Sequence, residues 1–324
     1  MGEQWASKQR ITSIKTRRVR VFLFNTAVPT QQLRHSKSNT ANPTQHFQTM
    51  LTTPELQAIA LHVKTAQDRC LPLAQITAQY PGFDAASAYA SADLIHAMRL
   101  SEGARPVGRK IGFTNPAMWT QYGVSAPIWG YVYDTTVTYL DDAAVTQNCS
   151  LRGLAHPKIE PEIIFHFHST PPQGADVDAV LACIDWVAHG FELVQSHYPG
   201  WKFQAPDAIA DGGLHAKLVV GERHLVNTLG ENLKDKLATF TLALSSDGQL
   251  KETGKGANVL GNPLQALVHL MQVLKTQPLY QPLQGNELVT TGTVTSAYSV
   301  QPGQVWRSAI DGMALSGLSV AFTA

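Results

Sequence analysis

Two carboxylates separated by one proline, Glu160-Pro161-Glu162, sit inside the apolar run 159–165. A strand repeats every two residues, so both acids face one side while Ile159, Ile163, Phe165 and Phe167 face the other. Like charges on one face repel unless something positive lies between them. A hard divalent cation such as Mg²⁺ does this through oxygen ligands. The alternative is a solvated polar face on an edge strand, and Pro161, which cannot donate to a ladder, points to an edge or a bulge. His166 and His168 share the acids' face, either as further ligands or as outward polar residues.

Glu192 interrupts the otherwise apolar run 190–194, where an acid is costly to bury unless paired or metal-bound. Lys110 lies in Gly108-Arg109-Lys110-Ile111-Gly112, a glycine-flanked apolar strand, as a site lysine or an ordinary surface one. Trp201, Lys202 and Phe203 precede a stretch carrying Asp207, Asp211, Gly212, Gly213 and His215. Such a loop is either a site wall or plain turn chemistry.

The elements that must position these residues read as α+β. Helices are expected after a Thr53 cap and Pro54, from about Ala85 to Leu100, from Val177 to Val187, and after Pro263. Strands are expected over 159–167, 191–195, 218–220, 240–244, 288–291, 305–310 and 315–322, with hairpin turns at Asp247-Gly248 and Asp311-Gly312. Strands crowd the C-terminal half without regular helix alternation, which excludes a doubly wound parallel fold in favour of a mostly antiparallel or mixed sheet. No GxGxxG, Walker GK[ST], GxSxG or HExxH pattern occurs, so nucleotide binding and serine hydrolysis have no motif behind them.

The chain has 324 residues, 44% hydrophobic but only 15% charged, with a net charge of +1. That excludes a coiled coil and a charge-driven disordered chain and argues against nucleic acid as a partner. Three scattered cysteines and no CxxC suggest free thiols in a reducing compartment. Nothing early is long enough for a signal or membrane segment. Residues 1–49 hold eight basic residues against the single acid Glu3, a net +7, and the remaining 17 basic and 23 acidic residues give −6. This basic segment reads as a disordered or spurious upstream extension before Met50; an organelle-targeting peptide and a nucleic-acid arm are the other readings.

Taken in order, the segments from about Met50 to Ala324 resemble the fumarylacetoacetase superfamily, in its 2-oxopent-4-enoate hydratase and 4-oxalocrotonate decarboxylase branch. Lys110 between its glycines resembles that branch's substrate-lysine segment. Gly123-Val124 through Pro127 and Gly130 follow at the branch's spacing. Glu160, Glu162 and Glu192 match its three metal carboxylates, and 207–211 its loop after the third ligand. Leu260-Gly261-Asn262-Pro263-Leu264 resembles its helix start, and Thr291-Gly292-Thr293 with Pro302-Gly303 its final strand and turn.

The resemblance implies a mixed β-roll or distorted barrel at 146–324, preceded by a smaller α+β region at 50–145. It implies a cytoplasmic homo-oligomer with no nucleic-acid or membrane partner, acting in aromatic-compound breakdown. The implied reaction is that of a lyase on an unsaturated 2-oxo acid, with Mg²⁺ or Mn²⁺ held by Glu160, Glu162 and Glu192 and chelated by the substrate on the way to an enolate. Lys110, Lys202 and Thr293 would contact substrate, and Lys110, His215 and Asp211 would take the catalytic roles. Hydration is placed ahead of decarboxylation; a C–C bond hydrolase and a catalytically silent relative are the remaining readings. One departure bears on this choice. The branch commonly carries an aspartate directly after the proline matching Pro127, and here that position is Ile128, followed by aromatic bulk from Trp129 to Tyr133.

Overall fold

A computed structural model describes residues 51–324 except Gly123, Asp141 and Pro278; the side chains of residues 118, 121 and 122 are also outside the description. The basic extension at 1–49 and the expectation placed on Gly123 therefore lie outside the described residues. The described residues group as one compact unit.

Fourteen strands among the described residues form two sheets. They are β1 Pro106–Gly112, β2 Ile128–Tyr133, β3 Val137–Tyr139, β4 Thr146–Ser150, β5 Lys158–Phe167, β6 Ile184–Val194 and β7 His215–Val220. The remainder are β8 His224–Leu225, β9 Thr241–Ser246, β10 Gln249–Lys255, β11 Leu288–Thr293, β12 Tyr298–Ser299, β13 Val305–Asp311 and β14 Ser319–Thr323. The larger, curled sheet runs β2-β1-β11-β5-β6-β7-β3, with β12 added to β5 and β8 to β6; the smaller runs β10-β9-β13-β14-β4. Both are mixed: β1–β11 and β3–β7 pair parallel in the first and β14–β4 in the second, the other pairs being antiparallel. Strands from both sides of residue 145 share the larger sheet.

β5 and β6 are the spine of that sheet, and their burial on both faces explains their nearly unbroken apolar reading. One face of β5 sends Ile159, Ile163, Phe165 and Phe167 into the main core. The other face carries Glu160 and Glu162, then Ile164. Ile164 joins Val132, Ala188, Leu218, Val220 and Leu288 in a small apolar plug inside the curl. Gly190 is required there, because a Cβ on it would lie 2.3 Å from Ile164 Cδ1 and 2.7 Å from Val219 O.

The helix expected from Val177 to Val187 ends at Leu181, and β6 begins at Ile184. Asp176 caps that short helix by accepting from Ala179 N at 2.9 Å. Beyond it, Ile184, Val187 and Ala188 pair with β5, so nonlocal strand pairing of β-branched residues overrides the local helical pattern. Pro161 lies on a central strand, at the bulge where the β5–β11 register shifts and where Val294 N donates to the Pro161 carbonyl. Pro161 has no N–H to return to the Val294 carbonyl, which accepts from Asn258 Nδ2 at 2.8 Å instead. Asp247-Gly248 closes a two-residue hairpin with φ of 51° and 79°, the type I′ geometry. Asp311-Gly312 does not: residues 312–318 separate β13 from β14.

Helices Thr53–Arg69 and Ala85–Ser101 lie on the N-terminal side. The first is capped one residue earlier than expected, with Thr52 N donating to Glu55 Oε2 at 2.7 Å. Among the described residues no helix is long and apolar enough to cross a membrane, and the three cysteines are free.

Candidate metal and substrate site

Five neighbouring strands, β1-β11-β5-β6-β7, bring their polar residues to one region inside the curl. β1 supplies Lys110, β11 supplies Thr290, Gly292 and Thr293, β5 the glutamates 160 and 162, β6 Glu192 and β7 His215. Glu160 and Glu192 are direct cross-strand partners, and Glu162 lies opposite Gly190, so the three carboxylates converge without side-chain bulk between them. One ligand atom from each lies within 4.8 Å of the others.

The cluster is largely dry: Glu162 and Glu192 are fully buried, while Glu160 is partly exposed to the cleft. Glu162 Oε2 accepts from Gly292 N at 2.8 Å and from the Thr290 hydroxyl. Glu192 Oε1 contacts His215 Nδ1 at 2.8 Å, and Thr136 Oγ1 holds the other ring nitrogen at 2.9 Å. Lys110 Nζ donates to Gly213 O at 2.9 Å and lies 3.3 Å from Glu192 Oε2. Glu162 Oε1 has no hydrogen-bond partner, and Glu192 Oε2 has only the Lys110 ammonium at 3.3 Å. An unpaired buried carboxylate oxygen is expensive. Glu162 Oε1, converging with the carboxylates of Glu160 and Glu192, fits a hard divalent cation with oxygen ligands.

The electrostatics match this frustration. Burial raises the Glu160 carboxyl to about 7, with Lys110 pulling against it and Glu192 adding repulsion. Burial, followed by the charges of Glu192 and Glu160, drives Glu162 well above the usual range. Glu192 goes the other way: burial is outweighed by Lys110 and His215, which hold it below the usual value. Burial would discharge Lys110, but Glu192, Glu160 and Glu162 more than offset it and keep the ammonium charged.

A cleft opens over these groups, lined by Lys110, Phe113, Glu160, Trp201, Leu214 and Thr293 among others. Phe113, Trp201 and Leu214 have φ of 55°, 58° and 65°, unusual for bulky residues, and strained backbone of this kind concentrates at functional sites. Gly292, with φ of 95°, is required because a Cβ would lie 2.0 Å from Thr114 Oγ1.

The structure thus brings together Lys110, Glu160, Glu162, Glu192, His215 and Thr293. His215 stands behind Glu192 and lines an adjoining cavity on the other side of the Gly212 turn. Asp211 is one layer further back, buried against His197 Nδ1 at 2.9 Å and Gln67 Nε2 at 3.1 Å. It caps the helix Ala205–Ala210 and introduces the turn whose Gly213 carbonyl holds Lys110. Asp207 does structural work, accepting from Thr77 and Gln204 backbone N–H groups. Lys202 is exposed, and its carbonyl accepts from Gln75 Nε2 at 2.9 Å. His166 pairs with Asp185 at 2.6 Å, apart from the glutamates, and the exposed His168 contacts the Ala182 carbonyl. Ile128 is buried. Trp129 and Tyr131 pack against the Arg109 guanidinium, 5.2 and 4.7 Å from its carbon, and with Tyr133 line the adjoining cavity. Sequence reasoning missed Thr290, Thr136 and the Gly213 carbonyl. Thr290 had a nearby signal in the Thr-Gly-Thr run that follows it, and Gly213 had one in the loop read as a possible site wall.

No family model matches the chain. A 4-oxalocrotonate decarboxylase of Pseudomonas sp is 33% identical over 230 residues, 70% of this chain and 84% of that protein. The chain belongs to the family of 4-oxalocrotonate decarboxylases and 2-keto-4-pentenoate hydratases. The hydratase side of this family is represented by the Burkholderia vietnamiensis (strain G4) enzyme, 30% identical over 261 residues, 80% of this chain and 94% of that one. Among solved members of the family, the Pseudomonas putida G7 decarboxylase complexed with magnesium and adipate superposes with a TM-score of 0.76 at 27% identity, covering 84% of this chain and 99% of that chain.

Proposed function

We propose that this chain is a divalent-metal-dependent lyase acting on an unsaturated 2-oxo acid, with Mg²⁺ or Mn²⁺ held by Glu160, Glu162 and Glu192. The observation that carries this reading is the unpartnered buried Oε1 of Glu162, converging with Glu160 and Glu192 beside a charged Lys110 at the base of a cleft. A cation there supplies Lewis-acid polarisation of the substrate's 2-oxo group.

The chain's own residues do the rest. Lys110 is pinned by Gly213 O and pairs with the substrate carboxylate or the oxyanion that develops from the 2-oxo group. Thr293 hydrogen-bonds the same carboxylate from the cleft wall. Phe113, Val194 and Leu214 exclude water around the reacting atoms. His215 fixes Glu192 through Oε1 and holds the nearest ring proton; Asp211 acts through the turn that positions Lys110.

Water addition to the conjugated double bond is the first reaction we assign. Loss of CO₂ from a vinylogous carboxylate is the second reading, and Ile128 favours it: a buried aliphatic side chain stands where an acid would assist water's protons. The relatives named as decarboxylases point the same way. We further infer a cytoplasmic homo-oligomer, consistent with the free cysteines and the low charged fraction.

The test is incubation with Mg²⁺ and either 2-hydroxypenta-2,4-dienoate or 2-oxohex-3-enedioate, followed by ultraviolet absorbance. Metal-dependent loss of absorbance is expected, and product analysis separates hydration from CO₂ release. A protein that binds the metal but consumes neither compound is a catalytically silent relative, and the proposal fails.

A further inference from the structure

Glu162 is held at its backbone as well as at its carboxylate. Beside it, β11 sets two residues, Thr291 and Gly292, against the single residue Ile163 of β5, the two-to-one count of a bulge. The bulge brings Gly292 N–H onto Glu162 Oε2 at 2.8 Å, and the Thr291 hydroxyl donates to the Ile163 carbonyl at 2.9 Å. From the opposite side β6 contributes His189, the direct partner of Ile163 and fully buried. Its Nδ1 lies 3.0 Å from the Glu162 carbonyl oxygen, which can only accept, so Nδ1 carries the ring hydrogen. Its Nε2 lies 2.7 Å from Ser308 Oγ on β13, in the second sheet. Leu318 N, just before β14, donates to the same oxygen at 2.9 Å. The hydroxyl hydrogen then has Nε2 within 2.7 Å and the Leu318 carbonyl only at 3.4 Å. The Phe191 ring meets the imidazole edge-on at 5.3 Å.

Resting on the reading of the three glutamates as a metal site, we propose that His189 is a positioning residue for the cation. Anchored by Ser308, it fixes the β5 backbone at Glu162. With Oε2 held by Gly292 N–H and the carbonyl held by His189, the Glu162 side chain is tied at both ends. Its unpartnered Oε1 is thereby kept in place relative to Glu160 and Glu192. The need for such a clamp is local. A bulge disrupts the ladder beside Glu162, and the preceding Pro161 has no N–H to add to it. A buried imidazole is costly unless both nitrogens are satisfied, and an aliphatic side chain would fill the same core position more cheaply if packing were its whole task. The second sheet therefore bears on metal affinity although none of its strands supplies a carboxylate ligand.

Two substitutions of similar size and polarity isolate the contact. Asparagine carries its amide nitrogen close to where histidine carries Nδ1, and glutamine close to where it carries Nε2. Mg²⁺ binding to the full chain is measured by titration calorimetry for the natural protein, His189→Asn, His189→Gln and Ser308→Ala, with metal-free melting curves of each. His189→Gln should weaken Mg²⁺ binding about 10–100-fold, the usual cost of losing a partner that orients a metal ligand. His189→Asn should stay within about threefold of the natural chain. Ser308→Ala, which loosens the ring but leaves its donor, should weaken binding about three- to tenfold. Both histidine variants should lose Tm together, since both remove the ring from the core, so affinity and stability part company. The proposal is overturned if His189→Gln binds Mg²⁺ like the natural chain, or if His189→Asn and His189→Gln weaken it equally, which would make the histidine a packing residue only. Should His189→Gln fail to fold, Ser308→Ala decides alone, and a natural affinity there overturns the proposal. A natural chain that binds no Mg²⁺ would remove the metal reading itself, and this inference with it; a natural chain that binds Mg²⁺ while the variants make no difference would remove the role of His189 alone.

Discussion

The two ends of β5 are alike in sequence and opposite in physics. Glu160-Pro161-Glu162 and His166-Phe167-His168 each place two titratable residues at alternate positions, the first pair within β5 and the second at its end, with His168 just past the last strand residue. At the first end the neighbours across the sheet are Glu192 and Gly190, and one oxygen of Glu162 is left buried and unpaired. At the second, His166 has Asp185 at 2.6 Å and a parallel stack on Trp186 at 4.9 Å, and both polar partners reach solvent. The plug of Ile164, Ala188, Leu218 and Leu288 separates the two ends. Identical periodicity therefore does not decide function; what matters is whether the opposing strand supplies a partner, another like charge, or nothing.

The sharpest way to break this contrast is at Glu162. Glu162→Gln should lower metal-dependent turnover by about 10³-fold or more, since a Lewis-acid site is worth several kcal/mol. The same substitution relieves like-charge repulsion, so the metal-free protein should melt no lower than the natural chain. Unchanged turnover would sink the three-carboxylate site. Lys110→Met should follow, with kcat/KM reduced about 10²–10³-fold, the usual cost of removing one oxyanion donor. Its metal-free stability should also fall, because three buried acids lose their cation. Third, Mg²⁺ at about 100 times its Kd should stabilise the natural chain by about 2.7 kcal/mol. That is a rise of roughly 5–10 °C in Tm for a domain of this size. Absence of the rise in Glu192→Gln, but its persistence in Asp185→Asn, would confine the effect to one end of the strand.

Much of this contrast was legible in the residues themselves. Period-two spacing put Glu160 and Glu162 on one face, and an acid in the apolar run around Glu192 marked a buried charge. The family resemblance tied the three glutamates together. Their register was not legible, because the pairing of Glu160 with Glu192 joins residues 32 apart through a hairpin whose second strand read partly as a helix. Helical and strand patterns differ little over a short apolar run such as 184–188, and only the partner strand decides. The Gly213 carbonyl and the Gly292 N–H were invisible for another reason: every residue has such groups, and only the chain's path aims them. The fold class was readable because strand density and turn chemistry are local properties. The loop at 312–318 shows the limit of that, since Asp311-Gly312 has hairpin chemistry but no β14 residue opposite Asp311.

A gentler effect separates the two ends by pH. Glu160, raised from 4.5 to about 7 in the metal-free fold, binds its proton more tightly folded than unfolded. Its contribution to stability is fully present below pH 4.5 and is lost as pH rises through about 7. Metal-free protein should therefore lose Tm across that window, and Glu160→Gln should flatten the decline. Melting curves from pH 4.5 to 8, with and without Mg²⁺, check this; a metal-free Tm that rises through the window would contradict it.

The smallest expected effect is at the other end. His166 and Asp185 are about one-fifth and one-third exposed, so their pairing is a near-surface contact worth at most about 1 kcal/mol. His166→Gln keeps a hydrogen-bonding side chain and loses part of the stack on Trp186. Its Tm should fall by no more than about 2–4 °C, with kcat and the Mg²⁺-induced rise in Tm unchanged. Differential scanning calorimetry of the variant with and without Mg²⁺ reads both quantities at once. If the Mg²⁺-induced rise shrank in His166→Gln, the apolar plug would not insulate the two ends, and the histidine pair would belong to the metal site's electrostatics. If the rise is intact, the four polar residues along β5 and just past its end divide into two that need a cation and two that already have their partners.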